Sequence, residues 1–134
     1  MAANATSAPD INQIGKSFVE HYYNLFDNNR QQLANLFQDQ SMLSFENEGY
    51  QGKEKIMNKL CNGVKFQKIQ HLPKTLDCQP SGNGGLLVMV TGQLKIDQEK
   101  NPLLFSEMFH LLPTDKTLKQ FWVHNCIFRL NTAY

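Results

Sequence analysis

The sequence predicts an α+β domain: helices first, then a largely antiparallel sheet. Three observations carry this. Apolar residues recur with helical spacing up to about Cys61, they alternate with period two from Leu86 onward, and short turn-rich segments separate the alternating runs. The chain has 134 residues, within the usual size of one domain. A domain of that length buries roughly two-thirds of the surface its unfolded form exposes.

The helical half starts at Asp10, a plausible N-cap with Gln13 three residues on. Ile11, Ile14, Phe18, Tyr22 and Leu25 then share one helical stripe, with Phe26 beside it, until Asp27-Asn28-Asn29 breaks the helix. A short second helix carries Leu33, Leu36 and Phe37. Met42-Leu43-Ser44-Phe45 reads as a short strand before a turn at Gly49 and Gly52. A third helix from Lys53 to Cys61 turns Ile56, Met57 and Leu60 inward and ends near Gly63.

After Gly63 the period changes. Phe66 to Cys78 is a strand in which Pro73 demands an edge or a bulge. Ser81-Gly82-Asn83-Gly84-Gly85 is a turn. In the next strand Leu86, Val88, Val90, Leu94 and Ile96 share one face, and Leu87, Met89, Thr91, Gln93 and Lys95 the other. Asn101-Pro102 turns the chain into a strand from Leu103 to Leu112, and Pro113 to Thr117 loops into a last strand from Leu118 to Leu130. There Phe121, Val123 and Ile127 alternate with Trp122, Cys126 and Phe128. Helices cover only one face of a sheet, so apolar residues on both faces predict a partner subunit over the other, with Leu87, Met89 and Ile127 at its centre.

Composition narrows the function. Apolar residues make up 41% and charged residues 19%, which is globular rather than disordered. Thirteen basic and 12 acidic side chains leave a net charge of +1. That balance offers no footprint for nucleic acid or an anionic membrane. No apolar run approaches the roughly 18 residues of a transmembrane helix. Residues 1–9 lack the basic and apolar regions of a signal peptide and read as a flexible tail; residues 10–134 form the domain. Cys61, Cys78 and Cys126 fit no zinc pattern and read as free thiols of a reducing compartment. His21, His110 and His124 show no metal spacing, and the Gly82–Gly85 cluster lacks the lysine and helix of a phosphate loop. No metal or cofactor is therefore expected. No second polar group is evident within the apolar strands to complete a catalytic dyad with His71.

Several segments are familiar. Phe18-Val19-Glu20-His21-Tyr22-Tyr23-Asn24-Leu25-Phe26-Asp27 resembles the first helix of the nuclear transport factor 2 family, and Phe66-Gln67-Lys68-Ile69-Gln70-His71 its central strand. Gly92-Gln93-Leu94-Lys95 followed by Asp97, and Phe128-Arg129-Leu130 at the end, agree in kind and order. The resemblance runs from about Ile11 to Leu130.

The resemblance implies a strongly bent sheet wrapped by helices into a cone, with an apolar cavity opening at one end. It also implies a homodimeric import carrier, not an enzyme, found in cytoplasm and nucleus and concentrated at the nuclear pore. Its partners would be the GDP-bound form of the small GTPase Ran and the phenylalanine-glycine repeats of nuclear-pore proteins. A Ran aromatic side chain would enter the cavity, whose candidate lining is Phe45, Phe66, Ile69, Met108, Trp122 and Phe128. Glu46, Asp97, Glu99 and His71 would form the rim that meets basic groups of Ran. The family has a tryptophan near the start of the first helix that helps bind the repeats. Ile11 stands there, without the flat face and N–H donor of indole. The alternatives are a same-fold interaction module of RNA export or stress assemblies, and an isomerase or dehydratase using the cavity.

Overall fold

The computed structural model describes residues 10–64 and 68–131; the expected tail and Phe66 lie outside them. Helix α1 (Ile11–Asn28) leads into a 3₁₀ helix (Arg30–Leu36), strands β1 (Phe37–Phe45) and β2 (Glu48–Gln51), and helix α2 (Lys53–Asn58) with a π turn (Lys59–Gly63). Four long strands follow: β3 (Ile69–Gly82), β4 (Gly85–Ile96), β5 (Leu103–Pro113) and β6 (Phe121–Leu130). They form one six-stranded sheet in the order β2-β1-β6-β5-β4-β3. Only β1 and β6 run parallel, because the other paired neighbours are joined by turns while β1 meets the last strand of the chain.

α1 begins where expected: the Asp10 carboxylate accepts from the N–H groups of Asn12 and Gln13. Its aromatic face packs on the inner face of the sheet. Tyr22 meets Phe109 of β5 edge to face at 4.9 Å between ring centres, and Phe18 and Phe37 close around the pair. β4 alternates as the sequence predicts, with Leu86, Val88, Val90, Leu94 and Ile96 buried. β3 is one of the sheet's two edge strands, and its register shifts between Pro73 and Thr75, so proline costs no ladder hydrogen bond there.

β6 corrects the expected alternation. Asn125 pairs with His110, yet Val123 pairs with the adjacent Leu111, so His124 is an extra residue. This bulge flips the phase. Phe121, Val123, Cys126 and Phe128 all face inward, leaving Trp122 and Ile127 on the other side. Two further differences come from pairing. β2, read from sequence as a turn, becomes a strand through its ladder with β1, and β1 itself begins at Phe37. The final strand begins at Phe121, not Leu118, whose φ of +58° cannot continue a strand.

α1 approaches the sheet most closely at Gly15. A Cβ there would overlap the Cys78 sulfur. Gly15→Ala should therefore destabilise the fold by about 1–3 kcal/mol, as overpacking does. Adding Cys78→Ala removes the colliding atom and should restore most of the loss, since the remaining Cys78 Cβ sits at an ordinary 3.6 Å. Urea unfolding of both variants checks this: equal losses in the single and double variants would show that helix–sheet contact is not the cause.

Candidate functional site

A cavity lies between the C-terminal half of α1, the π turn and the inner face of the sheet. Phe26, Phe45, Leu60, Ile69, Leu94 and Phe128 supply most of its apolar wall, and among the described residues Tyr22, His71 and Glu107 are its ionisable side chains. Phe45 and Phe128 stack at 4.7 Å between ring centres, fixing one wall. The free space is about 30 Å³, room for roughly one water molecule. Docking an aromatic ring therefore requires the lining to move apart.

Two acidic side chains sit where strands end beside this cavity, and the backbone holds both. Glu46 occupies the β1–β2 turn with φ +51°, and its carboxylate accepts the Leu130 N–H at 2.6 Å. Asp97 follows β4 with φ +47°; it accepts the Lys68 N–H at 2.7 Å and donates its own N–H to the Lys68 carbonyl. Phe45, Leu130 and Ile96, their neighbours or partners, all line the cavity. Asp97 also borders an open polar groove alongside, together with Glu20, Asp27, Lys68, Lys95 and His71. Glu99 lies in the turn beyond, its N–H bonded to the Ile96 carbonyl, and lines neither space.

His71 is buried in the wall rather than displayed on a rim. Asp27, at the end of α1, accepts its backbone N–H at 2.8 Å and meets its Nδ1 at 2.7 Å. Tyr23 stacks flat on the imidazole, 4.1 Å away and 7° from parallel. The Tyr23 hydroxyl donates to Glu107 Oε1 at 2.8 Å, and the Cys126 thiol donates to Glu107 Oε2 at 2.9 Å. Burial pushes the Glu107 carboxyl above its ordinary range, against the Cys126 bond, the charge of His71 and the Tyr23 bond, which favour its ionised form. Burial likewise drives the Cys126 thiol and the Tyr23 phenol well upward, with Glu107 adding to both, so these donors stay neutral.

The remaining candidate positions divide. Phe45, Ile69 and Phe128 line the cavity. Met108 and Trp122 do not: they lie on the outer sheet face, Met108 because β5 alternates and Trp122 because it precedes the β6 bulge. Met89, Met108 and Ile127 form one cross-strand row on that outer face, with Met89 43% and Ile127 47% exposed; Leu87 lies one row away, half-buried. Ile11 opens α1 and packs against the core edge. A separate groove beside α1 is lined by Ile14, Phe18, Leu36 and Phe121, with His21 and Lys119 at its edges.

Sequence reasoning missed Asp27, Tyr23, Glu107 and Cys126. Glu107 had left a signal, since it takes an inward position between Phe105 and Phe109. Asp27 left none, because it meets His71 across 44 residues. Among the described residues no group of acidic, histidine and cysteine side chains could hold a metal ion, and no helix is long and apolar enough to cross a membrane.

Comparison with known proteins matches this geometry. The nuclear transport factor 2 domain matches residues 14–130. Nuclear transport factor 2 of Candida glabrata is 50% identical over 123 residues, covering 91% of this chain and 95% of the relative. The structure of nuclear transport factor 2 from Cryptosporidium parvum superimposes with a TM-score of 0.84 at 45% identity, covering 92% of this chain and 96% of that one. This chain belongs to the nuclear transport factor 2 family, and its helices on a curved mixed sheet are that family's cone fold. The fold is also shared with an enzyme-like structure, a putative scytalone dehydratase from Novosphingobium aromaticivorans. That structure has a TM-score of 0.74 at 16% identity, covering 90% of this chain and 83% of that one.

The buried carboxyl has a consequence for stability. Glu107 holds its proton more tightly folded than unfolded. Its contribution is thus full below the ordinary glutamate range and is lost as pH rises through the raised native value. Glu107→Gln, which carries no such proton, should gain melting temperature relative to wild type between pH 4.5 and pH 8. Parallel melting curves for the two proteins across that range would rule this out.

Proposed function

We propose that this chain is a dimeric import carrier for Ran in its GDP-bound form, shuttling between cytoplasm and nucleus through contacts with phenylalanine-glycine repeats at the pore. One observation carries the reading: an apolar cavity flanked by Glu46 and Asp97, each fixed by a backbone hydrogen bond. An aromatic anchor in such a cavity supplies affinity, while preorganised carboxylates orient a basic partner and speed encounter. Family membership, with relatives named as transport factors, supports the same reading.

The cavity favours binding over catalysis. Its wall is mostly apolar, and both Glu107 oxygens already accept hydrogen bonds from Tyr23 and Cys126. Discrimination between nucleotide states then comes from the partner. A carrier separates two states only through contacts that differ between them, so an aromatic side chain presented in one state alone would suffice.

The repeats would dock along α1, with Ile11 at one end and the apolar groove of Ile14, Phe18 and Phe121 beside it. The outer sheet face, with Leu87, Met89 and Ile127, would pack against a second copy, as exposed apolar rows of this kind favour closed C₂ pairing.

Glu46 tests the cargo reading in two grades. Glu46→Gln keeps an acceptor for the Leu130 N–H but removes the charge, so binding of GDP-loaded Ran should weaken. Glu46→Lys reverses the charge and should abolish it, leaving the dimer intact. Calorimetry decides: wild-type affinity in Glu46→Lys would exclude Glu46 from the interface, and wild type binding neither nucleotide form of Ran would end the carrier reading.

Ile127→Glu tests assembly separately. It would place two unpaired carboxylates near the dimer axis, and sedimentation should then show a monomer. An unchanged dimer would move the interface to another surface.

A further inference from the structure

Two carboxyl groups share one imidazole in the wall of the cavity. Asp27 touches it directly, 2.7 Å from Nδ1, and so is the carboxylate that an imidazolium at His71 would neutralise. Glu107 stands across the Tyr23 ring: that ring stacks on His71 with its face and donates to Glu107 with its hydroxyl. Among the described residues, the other titratable groups packed around Glu107 are neutral donors or neutral neighbours. From α1 these are Tyr22 and Tyr23, and from β6 Cys126, all held protonated by burial. The side chains of β1 and β4 that line the cavity, Leu43, Phe45, Leu94 and Ile96, are apolar. Glu107 itself is 4% exposed, and the cavity it borders has room for about one water.

An ionised Glu107 thus relies on two neutral hydrogen bonds, the distant half of a shared imidazole, and whatever water the cavity admits. An apolar ring filling the cavity takes away the water and supplies no donor in return. A carboxylate that loses solvation without gaining a partner answers by taking up a proton.

We propose that Glu107 couples occupation of the cavity to uptake of a proton from solvent, so that an aromatic anchor binds more tightly as the medium becomes more acidic. The proposal rests on the carrier reading and names a regulator of that same site. The linkage has a fixed sign. Glu107 is more protonated in the filled than in the empty cavity, so affinity falls as pH rises between the two midpoints. For one proton the slope is at most about tenfold per pH unit.

Calorimetric titration of wild-type protein with GDP-loaded Ran, at one pH in phosphate and in Tris, measures the uptake directly, because the two buffers release a proton with different heats. The wild type should show a buffer-dependent heat corresponding to uptake of up to one proton per cavity, and Glu107→Gln should show none. Carbon-13 resonances of the Glu107 carboxyl, followed through a pH titration of the free wild-type protein, add a reading that needs no cargo: the midpoint should lie above the ordinary glutamate range. Binding with buffer-independent heat in the wild type overturns the proposal alone, as does an ordinary Glu107 midpoint or a buffer dependence that survives in Glu107→Gln. Absence of Ran binding in the wild type overturns the carrier reading and takes the linkage with it.

Discussion

The packing of α1 across the inner face of the sheet is the contact on which the rest depends. Tyr22 against Phe109 lies at its centre, with Phe18 and Phe37 completing an aromatic cluster from three separate elements. Edge-to-face pairs of this kind add about 0.5–1.5 kcal/mol beyond the area they bury, and here they also set the position of the helix along the sheet. Gly15 lets the N-terminal half of the helix come down onto Cys78. Further along, Asp27 clasps the start of β3 through both the backbone and the ring of His71. The helix is thus pinned by close packing near one end and by hydrogen bonds at the other. The cavity is the space left beside the second end.

That placement explains why a molecule with such an apolar interior tolerates a buried glutamate. Leaving a buried polar group without partners costs about 1–3 kcal/mol, and more for a charged one. Glu107 avoids this because α1 brings Tyr23 over it and the β6 bulge turns Cys126 toward it. Were His124 paired in regular register rather than bulged out, the strand would present Ile127 inward and Cys126 outward. One bulge therefore does three things: it completes the polar cluster, keeps Phe128 in the cavity wall, and leaves Ile127 on the outer face.

The acidic positions follow a different logic. Glu46 and Asp97 both adopt the left-handed backbone conformation, which costs roughly 1–2 kcal/mol for a residue with a side chain. Each recovers part of that through a carboxylate–amide bond to the neighbouring strand, Glu46 to Leu130 at the end of β6 and Asp97 to Lys68 just before β3. Turn geometry and carboxylate direction are therefore one arrangement, and a group fixed this way loses little further entropy when a partner docks.

The sequence by itself determined the classes of element and much of their facing. Helical spacing from Ile11 to Phe26 and strict alternation from Leu86 to Ile96 are local periodicities, and they survive folding because each is set by backbone geometry within one element. Of the cavity candidates that the resemblance implied, Phe45, Ile69 and Phe128 border this cavity, whereas Met108 and Trp122 do not. The tertiary structure alone decided the rest. Strand β2 exists only through its ladder with β1, and the phase of β6 depends on a bulge that is defined by its partner strand. His71 looked like a rim residue because nothing nearby in sequence could bury it; Asp27, 44 residues earlier, does. Glu107 is 84 residues from Tyr23 and 19 from Cys126, so its environment is a product of topology. Periodicity reports how a segment meets solvent and core, but burial of a charge depends on which distant groups arrive to share it, and only the assembled fold brings them there.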